Sequence, residues 1–198
     1  MPYELKITLL ESEPAIWRRV LIDPDMSFEE LHFTVQAAMG WEVSHLFAFR
    51  RRGFETYITA MMGDMLEDDA EEASEVKVSE WLKQKGDKVL YEYDFGDGWM
   101  HDIVLDKIVE GEIPETPRCL AGECACPPED CGGIGGYYNL VEAINDPKHA
   151  EHKEMREWIG MPRGEKWDVT EFVLEEANER IAEYLSIEWF EDDEADED

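Results

Sequence analysis

Positive charge is scarce in this chain. Its 18 Lys and Arg stand against 49 Asp and Glu, a formal net charge of −31 over 198 residues. A field of that sign repels phosphate backbones, so direct nucleic-acid binding is disfavoured. The acids are not confined to one end. Residues 188–198 hold eight acids and no base, residues 64–80 hold eight against Lys77, and an excess persists outside both. Long apolar runs are missing as well: none approaches the ~18 residues of a membrane span. The opening MPYELKITLL has no basic segment leading into an apolar one, which predicts no secretory signal. The expected location is therefore cytoplasmic, where thiols stay reduced. Cysteine is sparse and local: four residues, all between Cys119 and Cys131. No internal repeat is visible, and low complexity is restricted to the tail and the acidic stretch around 64–75.

What is present reads as a globular chain, with 43% hydrophobic and 11% aromatic residues. Tyr3, Leu5, Ile7 and Leu9 alternate with polar residues, the period of a half-buried strand, and AIWRRVLI resumes as its hairpin partner. Ser27 with Glu30 forms a capping box before Phe28, Leu31, Val35, Ala38 and Met39, a helix that stops at Gly40. HLFAFR and FETYI give two further strands around Arg51-Arg52-Gly53, and Glu80 to Lys85 a short helix with Trp81 and Leu82 inward. The opening has a β-grasp-like ββαβ order. Val89–Phe95 and Trp99–Val109 form a second hairpin around Asp97-Gly98, a turn that pairs Asp94 with His101 if its loop is two residues long. Helices are expected at Tyr138–Asn145, at Glu151–Ile159, and after a capping box at Asp168 and Glu171, with a stripe of Leu174, Ala177, Ile181 and Leu185. The fold class is α+β: a mixed or antiparallel sheet, a long Cys/Gly-rich loop and C-terminal helices. Residues 1–187 form one domain, and 188–198 an acidic tail too polar to order.

Two stretches carry the candidate chemistry, YEYDFGDGWMHDI at 91–103 and CLAGECACPPEDCGGIGGYY at 119–138. The cysteines read C-x4-C-x-C-x4-C. Zinc sites bring four soft ligands together at short spacings. Cys119, Cys124, Cys126 and Cys131, or three of them with His101, are thus candidate metal ligands. The alternative is that they pack as small buried residues or form a labile redox pair. In DFGDGW, Asp94 and Asp97 are candidate ligands of a hard cation beside His101; the alternative is a plain hairpin turn. No other kinase signature accompanies these letters. GGIGG before a helix offers backbone amides to an anion, or simply packs tightly. Arg18-Arg19 and Arg50-Arg51-Arg52 are read as partners of local carboxylates, and His32, His45, His149 and His152 as structural or surface residues.

Together these stretches resemble the plasmid pRiA4b ORF-3-like family. The resemblance also covers PAIWRRV at 14–20, Leu31-His32, GWEVSHLFAF at 40–49 and DPKHAEH at 146–152. Its pattern falls here on Asp94, Gly96, Asp97, Trp99, His101, Cys119, Cys126, Pro127, Pro128, Glu129, Asp130 and Gly132-Gly133, while Cys124 departs from it. It implies association with plasmids or mobile elements and no particular activity. The function expected is a binding or interaction module for a protein or small-molecule ligand, with Asp94, Asp97, Trp99, His101, Glu129 and Asp130 as its site. The alternative is a metal-dependent, zinc enzyme at the same place. Regulation of a mobile element through DNA stands third, against the charge.

Overall fold

The computed structural model describes residues 1–53, 56–60 and 69–187. The acidic tail at 188–198 and residues 61–68 of the acidic stretch lie outside the described residues. The chain order is β1 (Tyr3–Leu9), β2 (Trp17–Ile22), α1 (Phe28–Met39), β3 (Phe47–Arg50), β4 (Tyr57–Thr59), β5 (Ala70–Glu72), α2 (Val78–Trp81), β6 (Lys88–Tyr93), β7 (Trp99–Ile108), β8 (Arg118–Glu123), α3 (Gly133–Asn145), α4 (His152–Trp158) and α5 (Leu174–Tyr184). The strands form one sheet in the order β5-β4-β3-β6-β7-β1-β2-β8. Its pairings are antiparallel except β4 with β5, so the sheet is mixed and the class is α+β. The ββαβ order of the opening is present along the chain, with β6 and β7 inserted between β1 and β3 in the sheet.

Alternation sets the two faces. Leu5, Ile7, Val20, Ile22, Ile103 and Leu105 are buried on the inner face. The other face is a ladder of charged cross-strand pairs: Arg19 with Glu4 (3.2 Å) and Asp106 (2.9 Å), Lys107 with Glu4 (3.0 Å), and Lys88 with Asp102 (3.0 Å). α1 lies on the inner face. Its capping box is complete, with the Glu30 N–H on Ser27 Oγ and the Ser27 N–H on Glu30 Oε2, and it ends at Gly40 with φ 107°. Phe28 packs edge-on to Phe49, their centroids 4.9 Å apart. The polar His32 and Gln36 are buried toward the sheet, where both meet the Tyr91 hydroxyl, and α5 covers the helix from outside: Arg180 Nε donates to the Ala37 carbonyl and the Tyr184 hydroxyl to the Trp41 carbonyl.

Several elements differ from expectation. Ala70–Glu72, within a stretch that lacks a period, adds the parallel edge strand β5. α2 starts at Val78, ahead of the predicted Glu80, and ends at Trp81, with Glu80 reaching back to the Lys77 N–H. Cys119 is not in coil but in β8, opposite Val20. Asp168 caps no helix; its carboxylate instead closes a turn with Thr170, and α5 begins later at Leu174. Among the described residues no helix is long and apolar enough to cross a membrane.

Candidate functional site

The second hairpin does not close on a two-residue turn. Tyr93 pairs with Trp99 and Tyr91 with His101, so residues 94–98 form the loop and Asp94 is not the cross-strand neighbour of His101. The cause is local. Asp94 adopts a left-handed φ of 55°, its carboxylate Oδ1 accepts the Gly96 N–H at 2.9 Å, and its carbonyl accepts the Gly98 N–H at 2.6 Å. An aspartate that bonds its own backbone tolerates this conformation. The lengthened loop turns the buried Asp94 away from the sheet.

Two other segments meet the hairpin there. The 41–45 segment, between α1 and β3, is held by three side chains from three different places. Glu129 Oε1 accepts the Glu42 N–H (2.8 Å), Gln36 Oε1 the Val43 N–H (3.2 Å), and the Tyr93 hydroxyl the Ser44 N–H (3.0 Å). Val43, at φ 59°, bends the chain so that His45 turns toward Asp94. The 127–132 segment is pinned by Trp41 Nε1 on the Pro127 carbonyl (2.9 Å), by the Tyr93 hydroxyl on Glu129 (2.7 Å), and by the Gly132 N–H on Asp97 Oδ2 (3.0 Å). The glycines of GGIGG seat helix α3 against both neighbours. A Cβ on Gly133 would meet the Asp97 carbonyl oxygen at 2.4 Å, and one on Gly136 the Cys131 carbonyl oxygen at 1.8 Å. Close approach, the packing alternative, accounts for this motif. It also starts α3 at Gly133, ahead of the expected Tyr138.

The result is a convergence of His45, Asp94 and Asp130. Their ligand atoms all lie within 4.8 Å of one another, and this is the one such group of three or more His, Cys, Asp or Glu among the described residues. His45 Nε2 stands 3.3 Å from Asp130 Oδ1 and 3.8 Å from Asp94 Oδ2, without a hydrogen-bond partner. A shared ion with bonds of about 2.0–2.2 Å sets its ligand atoms roughly 3–3.5 Å apart; the His45–Asp130 separation meets this, and the His45–Asp94 separation of 3.8 Å would close slightly around an ion. Asp94 and Asp130 both have left-handed backbones, at φ 55° and 56°. Asp94 is buried whereas the Asp130 side chain is 70% exposed, so the group opens to solvent on one side.

Of the residues singled out from the sequence, Asp94 and Asp130 enter this group. Asp97 and Glu129 stand behind it as anchors. Trp99 is buried against Trp41, 5.7 Å between centroids. His101 is buried in the core, where Nδ1 donates to the Trp99 carbonyl and burial lowers its pKa to about 4. It is a core histidine on β7, opposite Tyr91. Sequence reasoning missed His45. Its signal was the GWEVSH segment, whose histidine has no second ligand at a telling spacing.

The cysteines do not gather around a common point with His101. Three of them, Cys119, Cys124 and Cys126, lie near Arg18 instead, whose buried guanidinium donates to the carbonyls of Trp17, Ala38, Glu123 and Cys124 and stacks 4.2 Å from the Phe172 ring. Arg18 thus pairs with carbonyls where a carboxylate was expected, whereas Arg19 does take Glu4 and Asp106. Burial pushes all four thiols up, Cys131 to about 12 with the Asp97 charge adding to it. As they stand, all four are free thiols, Cys119 and Cys124 buried and Cys126 and Cys131 half-buried.

Comparison with known proteins agrees with this architecture. The family model described as plasmid pRiA4b ORF-3-like protein matches residues 2–176. The uncharacterized protein y4hQ of Sinorhizobium fredii (strain NBRC 101917 / NGR234) is 39% identical over 159 residues, 79% of either chain. The crystal structure of MM3350, a protein of unknown function from Methanosarcina mazei Go1, is similar at a TM-score of 0.74 and 32% identity, covering 88% of this chain and 96% of that one. The matched span includes both central motifs, the anchored loops and the first turn of α5, and by it the chain belongs to the plasmid pRiA4b ORF-3-like family.

Proposed function

We propose that the protein is a binding module that holds a divalent metal ion at His45, Asp94 and Asp130 and takes a further ligand through that ion. One observation carries the reading: three ligand atoms, from three separately anchored segments, converge within 4.8 Å. Two carboxylates balance a dication. One imidazole with two carboxylates suits a borderline ion such as zinc or manganese better than the all-oxygen preference of calcium or magnesium. Three protein ligands leave coordination positions open, and the exposed Asp130 leaves them reachable, unlike a closed structural site.

Calorimetric titration of chelator-treated protein with zinc tests this. A single ion per chain is expected, with affinity reduced at least about tenfold in His45→Ala and Asp130→Asn. Absence of uptake by the wild type, or equal uptake by the double variant, overturns the reading.

The same open positions favour a second reading, a zinc-dependent enzyme, which differs in requiring turnover and an activated water at the ion. A DNA-bound regulator is disfavoured by the charge of −31. A mobility-shift assay with random duplex at physiological salt is expected to show no complex.

A further inference from the structure

A pocket of about 340 Å³ lies between α3 and α4, and Asp130 belongs to both this pocket and the metal cluster. Leu140 of α3 with Met155 and Trp158 of α4 supply its apolar lining, and Asp130, Asn139 and Glu151 its polar groups. α4 buries none of its residues, and Trp158 keeps 49% of its surface exposed. An indole left open beside a cavity has apolar surface to give to a ligand. The volume sits at the small end of the range for ligand sites, roughly 300–1,000 Å³, room for about one amino-acid-sized group.

Charge narrows the class. With a dication in place, Asp94 and Asp130 are neutralised, and Glu151 leaves the pocket negative within a chain of net charge −31. A phosphate or a simple carboxylate meets that field unfavourably, whereas an ammonium is drawn to it. An indole face beside the acid also accepts cations and methylenes. A carbonyl oxygen is the neutral donor that an open metal position takes without adding negative charge.

We propose that this pocket binds an apolar residue bearing a free α-ammonium and a carbonyl oxygen: oxygen on the metal, ammonium toward Glu151, side chain against Leu140, Met155 and Trp158. The proposal rests on the metal reading above. The N-terminus of a peptide carries this chemistry, whereas a free amino acid brings a carboxylate in place of the neutral carbonyl.

The test uses the full chain, first titrated with zinc and then, zinc-loaded, with leucinamide, N-acetyl-leucinamide, leucine and Leu-Gly-Gly by calorimetry. Leucinamide is expected to bind, and N-acetyl-leucinamide to bind at least about tenfold more weakly because it lacks the ammonium. Trp158→Ala is expected to weaken leucinamide about tenfold with zinc uptake unchanged. Glu151→Gln, which removes no cap bond from α4, is expected to narrow the gap between leucinamide and its acetylated form. Leu-Gly-Gly binding as well as leucinamide supports the proposal with a peptide terminus as source; leucine, which carries a carboxylate, is expected to bind more weakly, and tighter binding of leucine than of leucinamide overturns it. Zinc uptake without leucinamide binding, or equal binding of the acetylated form, overturns this proposal and leaves the metal reading standing. No zinc uptake overturns both.

Discussion

The Tyr93 hydroxyl donates to Glu129 across 2.7 Å, tying the last residue of β6 to the loop that carries Asp130. The same hydroxyl accepts the Ser44 N–H, and the same carboxylate oxygen accepts the Glu42 N–H. One bond therefore fixes both flanks of the metal cluster. Burial, reinforced by Glu129, raises the Tyr93 pKa, so the phenol stays a donor throughout the physiological range.

Tyr93→Phe removes this link without changing the ring. The Ser44 N–H loses its acceptor and Glu129 loses a donor, at a cost of about 1–2 kcal/mol in urea unfolding. Zinc affinity is expected to fall more than stability, because a shift of about 1 Å in His45 or Asp130 is enough to spoil a shared coordination point. Unchanged zinc binding in this variant would show that the segment around His45 is held without Tyr93.

The glycines of α3 give a graded test of the seat beneath the site. Gly136→Ala drives a Cβ into the Cys131 carbonyl, and Gly133→Ala into the Asp97 carbonyl with a φ of 67° besides. Neither backbone partner can swing aside, so both variants are expected to lose about 2 kcal/mol or more. Gly135 has nothing within 4 Å of its Cβ position, so Gly135→Ala is expected to be neutral or stabilising by up to about 1 kcal/mol. Equal losses for all three in thermal unfolding would contradict the close-approach explanation.

Much of this architecture is written locally. The period-2 run at Tyr3–Leu9 and the Ser27–Glu30 box each act through near neighbours, and both elements fall where their residues place them. What local pattern does not carry is distance across the fold. The hairpin register slipped because Asp94 bonds its own loop, which lengthens the turn from two residues to five. β5 has no period to betray it; Ala70–Glu72 is a strand because β4 offers an edge. The glycines of GGIGG suggest tight packing, but their partners, the Asp97 and Cys131 carbonyls, are set only by the folded chain. The site follows the same rule. Asp94 and Asp130 stand out in dense motifs, whereas His45, 49 residues before Asp94, meets them only because Gln36, Tyr93 and Glu129 hold its loop.

Two core histidines make stability depend on pH. Burial lowers the pKa of His32 to about 3 and of His101 to about 4. His32 is nevertheless satisfied at Nδ1 by the Tyr91 hydroxyl, 2.7 Å away, and stacked 3.8 Å from Phe47. In the unfolded chain each titrates near 6.5. Between that pH and the lowered values the unfolded state binds the extra proton, so stability is full above about pH 6.5 and falls as the pH drops. Each histidine contributes a slope of about 1.4 kcal/mol per pH unit at most. Urea midpoints measured from pH 7 to pH 5 should decline accordingly. His101→Phe, which cannot titrate, should show a shallower decline than the wild type. A wild-type midpoint flat over that interval would mean that the buried rings find their protons by local opening.

The adjacent arginines provide the sharpest contrast. Arg18 and Arg19 neighbour each other on β2, so their side chains leave opposite faces of the sheet. Arg19 lies among Glu4 and Asp106 on the charged face, where solvent screens the pairs. Arg18 is buried, and its guanidinium fills four carbonyl acceptors from β2, α1 and the end of β8. A Cβ on Gly122 would meet both its Cδ at 2.8 Å and the Phe172 ring at 2.7 Å, so the space is closed around it. Arg19→Met removes only partly exposed ion pairs and is expected to cost about 0–1 kcal/mol. Arg18→Met leaves the Ala38, Glu123 and Cys124 carbonyls without their donor, an expected loss of about 3 kcal/mol or more. Arg18→Lys should recover only part of this, because one ammonium cannot match the planar fork that reaches carbonyls on three segments. Urea unfolding of the three variants orders the costs: Arg18→Met greatest, Arg18→Lys between, Arg19→Met least. Comparable losses for Arg18→Met and Arg19→Met would mean that the carbonyls around Arg18 find other donors once it is gone.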